Sequence, residues 1–142
     1  IRQEQAGLMV GLADIGITEH GFLGAYYSPE SNIIVMNKTA INKIRLHTAQ
    51  NTWKHYCFYI LLHEYLHSCG FYNEEEARKL AAGISIEALG FNHPAARLAI
   101  EPGQAISLIH PAGGEAELSH LPEDISIEFV HGIDRRNTDY IM

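Results

Sequence analysis

Residues 63–67 place two histidines and a glutamate at HExxH spacing. On an α-helix, residues four apart lie on the same face, so His63 and His67 can direct their imidazole nitrogens at one metal ion. Glu64 lies one position further round the helix, close enough to act on a water molecule bound to that metal. Zinc suits this donor set, because two imidazoles and one carboxylate leave its fourth position open for water. The spacing therefore predicts a Zn²⁺ site able to activate water.

The motif lies in a segment with the pattern of a buried helix. Residues 52–69 contain no Gly or Pro and are apolar nearly all round. Gly70 follows, and glycine readily adopts the left-handed conformation with which many helices end. Burying two histidines and a glutamate without partners would cost several kcal/mol, and a bound metal removes that cost. The alternative is an ordinary core helix in which hydrogen bonds satisfy both histidines.

A third protein ligand has to come from the residues after Gly70. The metzincin pattern asks for a histidine at position 73 and finds Asn73, a poor zinc ligand. A second helix is predicted to begin there, because Asn73 is a good N-cap and the three glutamates that follow suit the positive end of the helix dipole. The third ligand can therefore be Glu74, Glu75 or Glu76. The alternative is that these glutamates only match the dipole of a solvated helix start.

Residues 63–67, followed by Glu74 and Ala77, resemble the motif of the gluzincin clan, the thermolysin-like metallopeptidases. The resemblance covers roughly residues 21–90, and the short chain is most similar to the minimal gluzincins (minigluzincins). It implies that Glu74 is the third zinc ligand, opening a Glu-x-x-Ser/Ala pattern. It also implies that Ala77 is the small residue that lets the two helices approach each other.

Two features depart from the larger gluzincins. Only six residues separate His67 from Glu74, which keeps Glu75 and Glu76 as alternative ligands. Arg78 stands where those families often place an Asp or Asn that supports a zinc-binding histidine. Six extended residues span up to roughly 20 Å, so a tight turn is long enough to bring Glu74 back to the histidines.

The resemblance implies an α+β, zincin-like fold, with a small β-sheet or hairpin packed over the HExxH helix and a second, glutamate-bearing helix. Residues 21–27 and 32–37 are predicted to be strands joined by turn residues into a hairpin. The second helix is predicted over residues 74–89, ending at Gly90. In zincins the edge strand of this sheet pairs with extended substrate, so one strand of the hairpin is expected to hold a peptide by β-augmentation. The alternative is a hairpin that only covers the core.

The flanking segments are predicted from local patterns. Residues 3–12 are predicted to form a helix, and a shorter helix begins at Pro94 with Asn92 or His93 before it. Residues 101–123 have the proline and glycine content of a loop, and residues 124–133 alternate as a half-buried strand.

The domain organisation expected is a metallopeptidase domain over residues 1–103 and a C-terminal extension over residues 104–142, packed on the same domain. The extension either adds a strand to the sheet, crosses the active cleft or joins a second chain in a dimer. It carries three histidines that are expected at the surface, with capping of the zinc's open position as the alternative: His110, His120 and His131.

Composition excludes several partner classes. The net charge of −7 argues against binding to nucleic acid or anionic membranes, since both require a basic patch. The longest apolar run, residues 56–62, is too short to span a membrane. Cys57 and Cys69 fall on one predicted helix, about 18 Å apart and too far for a disulfide. This favours a reducing, cytoplasmic setting.

The function predicted is that of a hydrolase, a zinc metallopeptidase acting on peptides or proteins. His63, His67 and Glu74 hold Zn²⁺, and Glu64 acts as the general base. One alternative is a catalytically silent or latent zincin-like module that works as a binding or regulatory protein. Another is a metzincin, which needs a Met-turn beneath the zinc. Met142 is the only downstream methionine available for it.

Overall fold

Short strands precede and follow a run of helices along the chain. The computed structural model describes residues 7–18, 21–109, 114–115 and 126–130. The strands in these ranges are β1 (Met9–Ala13), β2 (Ile17–Thr18), β3 (Gly21–Phe22), β4 (Ala25–Ser28), β5 (Ile33–Asn37), β6 (Gly114–Glu115) and β7 (Glu128–Phe129). The helices are α1 (Lys38–His47), α2 (Thr52–Ser68), α3 (Glu74–Leu89), α4 (Pro94–Ile100) and α5 (Pro102–Ile109). The α+β class predicted from the sequence is confirmed.

The larger sheet has four strands in the order β4-β5-β1-β7. β1 and β5 pair in parallel at its centre, and β4 and β7 pair antiparallel to them at the two edges. β5 is buried along its whole length, as expected for a central strand that is covered on both faces. A smaller sheet has the order β2-β3-β6.

The side chain of Asn37 joins three segments at the end of β5, and it is completely buried. Its amide donates to the carbonyl oxygens of Gly16 (3.0 Å) and Leu23 (2.9 Å). Its Oδ1 accepts from the backbone N–H groups of Ile15 (3.2 Å) and Thr39 (3.0 Å). The last of these bonds caps α1. Asn37 therefore stabilises the junction between the end of β5 and the beginning of α1.

The main core lies between one face of the larger sheet and the helices. β1, β4 and β5 contribute to it from the sheet, and α1, α2, α4 and α5 contribute from the other side. Its fully or almost fully buried members include Val10, Ile34, Met36, Ala40, Ile44, Tyr56, Ile60, Leu98 and Ile109. α2 is thus held against the sheet by its Tyr56–Ile60 face.

The prediction of a helix over residues 3–12 is wrong where the structure describes it, because residues 9–13 form β1. The segment Met9–Ala13 is apolar throughout, and such a short run fits a buried strand as well as a helix. Its pairing with both β5 and β7 decides in favour of the strand. Residues 1–6 lie outside the described residues.

The prediction of a loop over residues 101–123 is wrong at its beginning, where residues 102–109 form α5. Pro102 occupies the first helical position, where its missing N–H costs nothing. Ala105 and Ile109, four residues apart, turn inward to the main core. The predicted domain boundary at residues 103 and 104 falls inside this helix, and the division into domain and extension stays a prediction.

The predicted hairpin is confirmed, since β4 and β5 pair antiparallel from Ala25↔Met36 to Ser28↔Ile33. Its first strand is shorter than expected, because Leu23 and Gly24 separate β3 from β4. The helices that begin at residues 52, 74 and 94 are also confirmed. α1 was not predicted.

The predicted C-terminal strand is present only as β7, which adds to the larger sheet beside β1. The expected alternation fails at its end, because Phe129 is 44% exposed. Val130 packs against the main core instead and donates its N–H to the Val10 carbonyl (2.8 Å). Residues 124, 125 and 131–133 lie outside the described residues.

Cys57 and Cys69 are both free thiols. Among the helices that the structure describes, none has the length and apolar character needed to cross a membrane.

Candidate metal centre

The last two turns of α2 carry both histidines on one face. The rings of His63 and His67 lie 4.7 Å apart between centroids and nearly perpendicular, at 85°. The helix then ends in a Schellman turn: Gly70 has φ 106°, and the N–H of Phe71 donates to the Leu66 carbonyl at 3.1 Å. Only glycine adopts this φ at no steric cost, so Gly70 sets the angle at which the chain leaves α2.

α3 begins with three glutamates and packs closely against α2 and α4. The Asn73 side chain caps this helix by accepting from the N–H of Glu76 at 2.9 Å. Three small side chains four residues apart form the buried stripe of α3, which lies beside α2 and α4: Ala77, Ala81 and Ser85. Small side chains allow the helix axes to approach, and this brings Glu74 at the start of α3 over the end of α2.

The Glu74 carboxylate joins the two histidine rings. Its Oε1 lies 2.9 Å from His63 Nε2, and its Oε2 lies 3.1 Å from His67 Nε2. One ligand atom from each residue can be chosen so that all lie within 4.8 Å of one another. Ligand atoms around one tetrahedral zinc stand about 3.3 Å apart, given metal–ligand bonds of about 2.0–2.1 Å. A His-His-Glu group that could hold a metal ion is therefore present.

The hydrogen bond on the other side of His67 favours a cation at this position. His67 Nδ1 lies 2.7 Å from the Phe71 carbonyl oxygen and must donate its hydrogen to it. In the neutral ring Nε2 then has no hydrogen, yet it faces a carboxylate oxygen of Glu74. Two lone pairs directed at each other require a positive charge between them, either a proton or a metal ion. The residues present thus fit a divalent metal.

Burial favours the neutral, metal-binding form of the other ring. Desolvation lowers the pKa of His63, and the neighbouring His67 lowers it further. Glu74 opposes this shift without reversing it. A neutral imidazole keeps a lone pair for a metal, so His63 is suited to bind one near neutral pH.

The group is open on one side. The side chains of His63 and His67 are only 13% and 11% exposed, whereas that of Glu74 is 60% exposed. Among the described residues, no fourth His, Cys, Asp or Glu belongs to the group. The three described residues thus leave a solvent-facing side on which a further ligand could bind.

Glu64 follows His63 directly on α2 and is not one of the three clustered residues. It is buried, with the residue 8% exposed. Its action on a metal-bound water stays a prediction from the motif.

Several alternatives from the sequence are not brought to the site. Glu75 and Glu76 are exposed and lie outside the group. Asn73 is engaged in capping α3, which leaves the metzincin pattern without its third ligand. His93 caps α4, accepting from the N–H of Ala95 at 3.1 Å. His110, His120, His131 and Met142 lie outside the described residues.

Sequence reasoning missed the Phe71 carbonyl, which orients His67. Nothing in the side chain of Phe71 could have indicated this role, because the group belongs to the backbone. The available signal was Gly70, since the Schellman turn that this glycine permits aims the carbonyl at the ring.

An apolar cavity of about 390 Å³ lies on a different face of α2. Tyr65, in its lining, stands about 200° round the helix from His63. The cavity is therefore separate from the metal centre. Its other walls include Val10 and Ile34 of the sheet and Phe58, Leu61 and Leu62 of α2.

Comparison of the chain with models of protein families, with curated proteins and with solved structures finds no match.

Proposed function

We propose that this protein is a zinc-dependent metallopeptidase with a gluzincin-type site on a zincin-like fold. The observation that carries the proposal is the position of Glu74. One of its carboxylate oxygens lies 2.9 Å from His63 Nε2, and the other lies 3.1 Å from His67 Nε2. The glutamate comes from the beginning of the next helix, as the resemblance to gluzincins implies.

His63, His67 and Glu74 would hold the zinc. Bound there, zinc would polarise the carbonyl of a peptide and lower the pKa of the attacking water. Glu64 accepts the proton of that water and then delivers it to the leaving amine. The Phe71 carbonyl keeps the ring of His67 in the orientation that binding needs.

β4 provides a place for the peptide. It is the outermost strand of the larger sheet on its side, in the order that the described residues form. It packs against α2, and the residue before it, Gly24, approaches Tyr56 and Ile60 of that helix. An extended peptide could add to this edge through backbone hydrogen bonds, which bind main chain irrespective of its side chains. This supports peptides, rather than small molecules, as the substrate class.

The test is zinc content followed by hydrolysis. We expect about one zinc per chain by atomic emission, and cleavage of peptides from a fluorescence-quenched library. Glu64→Gln should keep the zinc and lose about 10²- to 10⁴-fold in rate, the usual contribution of a general acid–base residue. Glu87→Gln, on the exposed surface of α3, is the matched control and should change neither.

Two outcomes contradict the proposal. The first is the absence of bound zinc after the metal has been supplied. The second is a zinc-loaded protein in which Glu64→Gln cleaves peptides at the rate of the unmodified chain. Zinc binding without any hydrolysis would favour the silent zincin-like binding module.

A further inference from the structure

Arg78 places a positive charge beside the metal centre. It follows Glu74 by four residues on α3, so both side chains leave the same face of the helix, one turn apart. α3 follows α2 after a five-residue connection, residues 69–73, and packs against it. Arg78 therefore lies one helical turn beyond the Glu74 carboxylate that contacts both histidine rings.

Arg78 is exposed, and no ion pair within the described part of the chain includes it. The nearest carboxylate along its helix face, Glu74, already has both oxygens on the histidine rings. The other described arginines are engaged. Arg97 pairs with Glu101 at 3.3 Å and lies over Phe91, and Arg45 lies over the ring of Trp53.

We propose that Arg78 binds a carboxylate of the substrate, and this inference rests on the peptidase function proposed above. A guanidinium is always charged and offers two parallel N–H donors, which match the two oxygens of a carboxylate. The chain as a whole carries a net charge of −7 and repels anionic peptides at long range. A local cation is therefore needed if a carboxylate is to approach the site.

The geometry limits where that carboxylate lies in the peptide. One helical turn separates Arg78 from Glu74, which is about 5.4 Å along the axis. An extended peptide advances about 3.3 Å per residue. The carboxylate bound by Arg78 should thus fall within about two residues of the cleaved bond. It can come from a free C-terminus or from an Asp or Glu side chain.

Binding to a zinc-loaded full chain that cannot cleave tests the proposal. Three peptides that share one cleavable sequence are titrated into Glu64→Gln protein and followed by calorimetry: a neutral C-terminal amide, the corresponding free acid, and an amide with one Glu near the bond. Preference for the free acid identifies the C-terminus as the source, and preference for the Glu peptide identifies a side chain. We expect one of the two anionic peptides to bind about 10- to 100-fold more tightly than the neutral amide.

The double variant Glu64→Gln/Arg78→Gln should lose that preference and keep its zinc. Glu64→Gln/Lys79→Gln is the matched control, because it removes the same charge one position round the helix and should keep the preference. In the active protein, Arg78→Gln should raise KM for the preferred peptide with kcat little changed, and Arg78→Lys should restore part of the loss.

The proposal is overturned if the neutral and anionic peptides bind equally, if Arg78→Gln leaves the preference intact, or if Arg78→Gln loses its zinc. These failures are separable from failure of the proposed function. In the first two cases the unmodified chain would still bind zinc and cleave peptides in a Glu64-dependent way. If the peptidase function is itself wrong, no peptide is cleaved by the unmodified chain.

Discussion

His67 Nε2 and a carboxylate oxygen of Glu74 face each other at 3.1 Å, and this contact joins α2 to the beginning of α3. Spacing alone could predict that His63 and His67 share a helix face, because the four-residue period is a property of every α-helix. It could not choose among Glu74, Glu75 and Glu76, since all three suit a helix start equally well. The choice depends on how far the chain turns after Gly70, which is a matter of backbone geometry.

Replacing Glu74 should weaken zinc binding selectively. Residues that only orient a metal ligand already contribute about 10- to 100-fold to affinity, so Glu74→Gln, which removes a charged ligand, should cost about 100-fold or more. Competition with a chromophoric chelator measures the zinc Kd. Glu75→Gln and Glu76→Gln are matched controls from the same exposed helical turn and should bind zinc normally. Equal losses in the three variants would contradict the assignment.

At the scale of elements, the helices at the site were predictable because their ends carry strong local signals. Gly70 ends α2, and Asn73 begins α3 with a side-chain cap. β1 was not predictable from its own five residues, because an apolar run has no period that separates strand from helix. Its pairing with β5 and β7, which are both distant in sequence, decides its conformation.

The N-cap of α3 should contribute measurably to stability. Asn73→Ala removes the side-chain bond to the Glu76 N–H and should lower the free energy of unfolding by about 1 kcal/mol. We also expect weaker zinc binding, since the cap holds the turn that carries Glu74. Urea denaturation of the metal-free protein measures the first effect.

Asn51→Ala is the control for this change. Asn51 precedes α2 as Asn73 precedes α3, but its side chain makes no capping bond. Its replacement should change the free energy of unfolding by less than about 0.5 kcal/mol. A loss as large as that of Asn73→Ala would show that the cap is not the source of the effect.

At the scale of the whole molecule, the sheet packs closely against α2, the helix that carries both histidines. Gly24 marks this contact: a Cβ at this position would lie 2.8 Å from the Tyr56 hydroxyl oxygen and 3.2 Å from Ile60 Cδ1. Both of those side chains are almost fully buried. The sequence could not reveal this contact, because glycine at a predicted strand has no side chain to indicate what lies opposite it.

Gly24→Ala should therefore destabilise the fold. Overpacking of a filled core costs about 1–3 kcal/mol, which thermal or urea unfolding would detect. Gly83→Ala is the control, and we expect it to change the free energy of unfolding in the opposite direction. Its Cβ would meet no atom within 4 Å on the exposed side of α3, so it should stabilise the helix by about 1 kcal/mol. A neutral Gly24→Ala would show that the contact between Gly24 and α2 has room for a methyl group, contrary to this expectation.

The three residues of the candidate metal centre lie close together in sequence, and this affects the order in which parts of the chain fold. His63 and Glu74 are 11 positions apart, whereas the ion pair between Lys38 and Glu128 of β7 joins residues 90 positions apart. Closing a short loop costs less entropy than closing a long one, and local contacts form sooner. The helical pair α2–α3 should consequently assemble before β7 completes the sheet. Under the proposed function, the chain could bind zinc on the ribosome while the residues of β7 were still being synthesised.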